Sequence, residues 1–199
     1  VGAGPVLNRD VIRNHAKFKL NWIQTEFTPA FLIEDRTVGR YNLFRAFQGD
    51  ELLQEAENHG VYFQIVFSHW SSWKADMPTL PEELQQYERN LFPPWSENPY
   101  NLKNGGPLSH PLELFSNQAA RRHYRNLIRY YVARWGYSTN VLSWALWGEF
   151  DMTRPAAGEL YSHEAIEAWH QEMAGYLKKL DPRHLVTSCE AEPSRSFGR

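Results

Sequence analysis

The sequence predicts an α/β fold built on a parallel sheet, and three observations predict it. Helix-like and strand-like segments alternate along the chain in the order α-β-α-β-α-β-α-β. One strand candidate, residues 61–68 (VYFQIVFS), is a nearly continuous apolar run, the pattern of a parallel strand buried on both faces, and residues 141–147 (VLSWALW) are the next strand. The connection over residues 69–116 follows a strand, on the side where α/β proteins bind ligands, and it is far longer than the usual limit of about 12–15 residues.

Each element has a local reason. Residues 8–17 predict a short helix, and residues 20–27 (LNWIQTEF) a strand that ends at Thr28-Pro29. Over residues 41–59, Leu43, Phe44, Phe47, Leu52, Leu53 and Ala56 fall on one broad helical face, and Gly60 stops the helix. Residues 117–135 are the clearest helix: Ala120, Tyr124, Leu127, Ile128, Tyr131, Val132 and Trp135 form one stripe and Gly136 closes it. In residues 163–180 the inward set is Ile166, Trp169, Met173, Tyr176, Leu177 and Leu180, with Ser162 as N-cap and Pro182 just past the end. Residues 184–189 (HLVTSC) form the last strand. Within the long connection a helical turn or two is expected around residues 81–90.

Composition narrows the function classes. The chain has 199 residues and a net charge of −2, with no Lys/Arg cluster, so nothing in it drives nucleic-acid binding. A single cysteine, Cys189, excludes a disulfide framework and a Cys-rich metal site. No apolar run approaches the roughly 18 residues of a membrane span. His163 and His170 lie on one helix without a carboxylate ligand pattern, and neither a phosphate-binding Gly-rich loop nor a serine nucleophile elbow is found, so no metal or cofactor is expected. Eight Trp and a total aromatic content of 15% require either a large core or a surface on which sugars stack.

The candidate for chemistry is Glu149, just past the third strand in Trp144-Ala145-Leu146-Trp147-Gly148-Glu149-Phe150-Asp151. A carboxylate there points into the crevice at the strand C-termini, where barrel enzymes place catalytic groups. Apolar neighbours and the charge of Asp151 favour its protonated form, as a general acid requires. The alternative is a loop carboxylate that only solvates a strand end.

Residues 132–138 (VARWGYS) followed by 144–149 (WALWGE) closely resemble the segment around the acid/base Glu of family-5-like glycoside hydrolases, the cellulase and mannanase relatives among the retaining (β/α)8 glycosidases. Asn98-Pro99-Tyr100-Asn101 with Asn104-Gly105-Gly106-Pro107 resembles that group's long loop. Residues 168–173 and 180–187 resemble its fourth helix and fifth strand. The resemblance implies a TIM-barrel type fold of which residues 1–199 are a partial catalytic-type domain covering strands two to five, with an active-face loop at about 69–116. It implies that Glu149 is the acid/base, that the nucleophile is a second Glu on strand seven, and that the rest of the barrel comes from a missing part of the chain or a partner chain. It also implies secretion or a periplasmic location, with a carbohydrate as the partner.

Two positions depart from that pattern: Gly148 stands where the family usually has Asn, and Gln24 where it usually has Arg. His69 ends a strand where the family often places a sugar-contacting His; it either contacts sugar or hydrogen-bonds within the rim. Trp70, Trp73, Trp95 and Trp147 are stacking platforms or core, with core expected to take at least two. Asn98, Tyr100 and Asn101 are further sugar-contact candidates. Glu26, Asp151, Glu190 and Glu192 are possible alternative carboxylates. Two functions follow as expectations: a retaining hydrolase of β-linked oligo- or polysaccharide, or a carbohydrate-binding or scaffold relative that has lost the chemistry.

Overall fold

The structure is a computed structural model that describes residues 8–25, 33–34, 37–73, 95–153 and 162–190. Its elements follow in the expected order: α1 (Arg9–Lys17), β1 (Trp22–Thr25), α2 (Leu43–His59), β2 (Tyr62–Val66), α3 (Gln118–Trp135), β3 (Val141–Ala145), α4 (His163–Leu180) and β4 (Leu185–Thr187). The four strands form one parallel sheet in the order β1-β2-β3-β4. This is repeated β-α crossover, the unit from which (β/α) barrels are built.

Side-chain caps set the helix starts. Asn8, Asn42, Asn117 and Ser162 each accept a backbone N–H of the first turn, a contact worth about 1 kcal/mol apiece. Gly60 ends α2 with φ 65°, the left-handed region in which glycine meets no Cβ penalty. Gly136 ends α3 differently, with φ −67°. Glycine is needed there for space, since a Cβ would lie 2.6 Å from the Val132 carbonyl oxygen.

The core lies between the sheet and its helices. Ile23, Phe63, Ile65 and Trp144 point toward the helix layer and are buried. The opposite face carries Trp22, Gln24, Tyr62, Leu185 and Thr187, all exposed. Exposure of Tyr62, at 40%, corrects the expectation that β2 is buried on both faces along its length. In a closed barrel that second face fills the interior.

Polar anchors tie helices to strands. Trp144 Nε1 donates to Asp181 Oδ2 at 2.8 Å, and His184 Nδ1 lies 2.5 Å from the same oxygen. Asp181 is buried, which pushes its pKa up, but the hydrogen bonds from Trp144 and His184 outweigh burial and hold it below the usual carboxylate range. Tyr124 on α3 donates to the Leu146 carbonyl at 2.6 Å, fixing the end of β3.

The expected faces of α3 and α4 are buried except at their margins, where Val132 and Tyr176 are part-buried and Leu180 is 37% exposed. Helix α2 needs a larger correction. Leu52, Leu53 and Ala56 are buried, but Leu43, Phe44 and Phe47 are 68%, 66% and 53% exposed. Ala46 and Gly49 take the inward positions of the first turns, where small residues let the helix approach the sheet closely. Apolar counting favoured the bulky residues, and packing distance selected the small ones.

Candidate active site

Glu149 follows β3 by four residues and has φ 55° and ψ 48°, a left-handed conformation unusual for a residue with a side chain. Such a conformation costs about 1–3 kcal/mol and persists only where its surroundings over-determine it. Here they do so from two sides. On the β2 side, Gly148 N–H donates to Ser68 O at 2.7 Å and Trp70 N–H to Gly148 O at 3.1 Å. On the β4 side, Cys189 N–H donates to Trp147 O at 2.9 Å and Phe150 N–H to Cys189 O at 3.2 Å. The peptides flanking Glu149 are therefore held by different neighbours, and the residue between them turns its carboxyl outward. Its side chain is 43% exposed, so the apolar enclosure expected from the sequence is not what surrounds it.

His69 shares this space. Its Nε2 lies 4.0 Å from Glu149 Oε2, and its side chain is 19% exposed. Burial pushes the imidazole pKa down to about 4, so the ring is neutral near pH 7 and the pair is not an ion pair. The packing also accounts for Gly148. A Cβ at that position would lie 3.1 Å from His69 Cδ2 and 3.5 Å from Val66 Cγ1, so the absent side chain leaves no vacancy. The His69 ring fills it.

The other residues singled out by the sequence are distributed differently. Trp70 is half-buried beside His69, with ring centroids 5.8 Å apart. Trp73, Trp95, Tyr100 and Trp147 are buried at 3%, 6%, 1% and 0% exposure, in one aromatic cluster centred on Trp73. They are core and offer no open face for stacking. Asn98 is fully buried, donating to Ser72 O at 2.8 Å and accepting from Tyr100 N–H at 2.9 Å. Asn101 donates to Trp95 O and accepts from Lys103 N–H. The two asparagines fold the loop and do not face a ligand. The physical reason is that a long loop with buried backbone must supply its own hydrogen-bond partners. Asp151 is buried and Glu190 half-buried. Glu26, Glu192 and the turn expected near residues 81–90 lie outside the described residues.

Glu34 was not legible in the sequence. It is 1% exposed in the connection between β1 and α2, where it accepts from Gly39 N–H at 2.7 Å and faces the Tyr100 hydroxyl of the long loop. Burial raises its pKa to about 7, against the opposing effect of the Gly39 hydrogen bond. Nothing in the local run Ile33-Glu34 marks a buried acid, since Tyr100, 66 residues further along the chain, is among the groups that come against it. Among the described residues no group of three or more His, Cys, Asp or Glu could hold a metal ion, and no helix is long and apolar enough to cross a membrane.

No protein-family model matches the chain. It is 31% identical over 143 residues to the probable mannan endo-1,4-beta-mannosidase C of Aspergillus terreus, covering 62% of this chain and 35% of that protein. It is 26% identical over 151 residues to mannan endo-1,4-beta-mannosidase 5 of Solanum lycopersicum, covering 71% of this chain and 31% of that one. Among solved structures it superposes on a GH5_18 protein of Streptomyces cattleya with a TM-score of 0.62 at 12% identity, covering 92% of this chain and 40% of that one. The endo-beta-1,4-mannanase of Thermotoga petrophila gives 0.60 at 15% identity, covering 91% and 39%. The chain is a relative of the family-5-like glycoside hydrolases. Its fold is part of a (β/α)8 barrel. It spans about a third of the length of the curated relatives it matches. Within the family fold, Glu149 occupies the end of a barrel strand, on the face where such barrels carry their chemistry.

Proposed function

We propose that the protein is a glycoside hydrolase that cleaves a β-linked polysaccharide with retention of configuration, with Glu149 as acid/base. The observation that carries the reading is the left-handed Glu149 at the end of β3, pinned from both neighbouring strands and standing beside a neutral His69. Strain of this kind clusters at functional sites. The mannosidase names of the relatives make a β-1,4-mannan the first substrate to test.

In the proposed reaction the Glu149 carboxylic acid protonates the leaving glycosidic oxygen while a second carboxylate attacks the anomeric carbon from the opposite face. Glu149, now a carboxylate, then removes a proton from water as that water displaces the enzyme carboxylate. Retention requires the two carboxyl groups to lie about 5–5.5 Å apart. On this reading the nucleophile belongs to a strand outside the four described here. In the same reading His69 and the half-buried Trp70 ring flank the sugar beside Glu149.

The test is reducing-end release from β-mannan, β-glucan and xylan by the intact protein and by Glu149→Gln. Turnover in the parent and loss of about 10²–10⁴-fold in the variant supports the reading. The anomeric configuration of the first product, read by proton NMR, decides retention. A second reading, carbohydrate binding without chemistry, is favoured by Gly148 and Gln24, which depart from the family pattern. Equal residual activity in the two proteins overturns the Glu149 assignment, and glycan binding in a titration without turnover supports that second reading instead.

A further inference from the structure

We infer that His170 is a positioning residue for Glu149, acting through Ser188. Its consequence for turnover rests on the assignment of Glu149 above, whereas its consequence for the backbone does not. His170 lies on α4 with Nδ1 2.9 Å from the Ile166 carbonyl oxygen. A carbonyl only accepts, so Nδ1 carries the hydrogen and Nε2 is the acceptor of the neutral ring. Burial pushes the His170 pKa down, against the raising effect of that carbonyl, and this favours the neutral ring.

Nε2 stands 3.1 Å from Ser188 Oγ, so the serine hydroxyl donates to the histidine. The single hydroxyl hydrogen is then committed, and the 3.4 Å approach of Ser188 Oγ to Trp147 O is the weaker contact. Ser188 is the first residue after the three-residue strand β4, and Cys189 is the second. Cys189 is the residue that bonds both Trp147 and Phe150, closing the β4 side of the clamp around Glu149. The chain leaving this short strand is held toward β3 by backbone bonds, and a side chain can anchor it from the opposite side. His170 supplies the anchor from the helix layer. Its ring also packs on Phe150, with centroids 5.0 Å apart, so one side chain braces both halves of the Cys189–Phe150 contact. Release of that brace lets the left-handed backbone at Glu149 relax and the carboxyl turn away.

Four variants of the intact protein test this: His170→Phe, which keeps a ring but no acceptor, His170→Gln, which restores an acceptor, Ser188→Ala, and the double variant His170→Phe with Ser188→Ala. Hydrogen exchange over residues 147–151 is read against exchange over α3, together with kcat and KM on β-mannan. In His170→Phe and Ser188→Ala we expect exchange at 147–151 to rise about tenfold with α3 unchanged. We expect kcat to fall about tenfold with KM within about twofold, the double variant to be no worse than the worse single, and His170→Gln to recover most of the loss. Unchanged exchange at 147–151, or an equal rise throughout α3, overturns the inference. If His170→Phe does not fold, Ser188→Ala and His170→Gln carry the same comparison. If the parent protein turns over no β-glycan, the hydrolase reading fails and the exchange comparison alone decides the role of His170.

Discussion

His69 Nε2 stands 4.0 Å from Glu149 Oε2, a separation that no direct hydrogen bond spans. One hydroxyl group set between them reaches both. On the proposed function, a substrate hydroxyl would lie there, with a neutral imidazole on one side and a carboxyl on the other.

The buried neutral state of His69 has a pH signature. Its folded pKa, about 4, lies below the ordinary value of 6.5, so the unfolded chain binds the extra proton first. Stability from this group is complete above pH 6.5 and is lost as pH falls from 6.5 to 4, by up to about 3 kcal/mol. Denaturant unfolding at several pH values should show this slope reduced in His69→Asn relative to the parent.

Gly148 and His69 are coupled by space. Gly148→Asn places a Cβ 3.1 Å from His69 Cδ2, so the ring is forced to shift. We expect a loss of about 1–3 kcal/mol, as for other overpacked sites. Adding His69→Ala should recover part of it. Simple additivity of the two losses in denaturant titration would refute the coupling.

Glu149 trades stability for its position. Glycine adopts φ 55° without a Cβ clash, so Glu149→Gly should raise stability by about 1 kcal/mol while abolishing the proposed turnover. A thermal melt compared with Glu149→Ala, which keeps the strain, separates this effect from simple loss of the carboxyl.

Glu34 is a buried acid with the opposite linkage to His69. Its folded pKa, about 7, lies above the ordinary 4.5, so stability falls as pH rises from 4.5 to 7 and is level beyond. Glu34→Gln removes this loss and keeps an oxygen for Gly39 N–H. The variant should match the parent near pH 4 and exceed it by about 1–3 kcal/mol at pH 8, measured by urea unfolding.

The sequence by itself determined the order of elements, the parallel sheet and the position of Glu149. These depend on short-range features: helical periodicity in Gln118–Trp135, side-chain caps such as Asn117 and Ser162, and apolar runs that can be read without knowing their neighbours. Tertiary structure decided the remainder. Trp73, Trp95 and Trp147 look equally suited to sugar and to core, and only their packing against one another, brought together from separate segments, made them core. The left-handed turn at Glu149 and the burial of Glu34 arise in the same way, from strands and loops distant in sequence. Neither the Ser68 and Cys189 backbone bonds nor Tyr100 beside Glu34 are encoded near the residues they constrain. Local pattern specifies what a segment becomes, whereas burial, strain and proton affinity depend on what the completed fold brings against it.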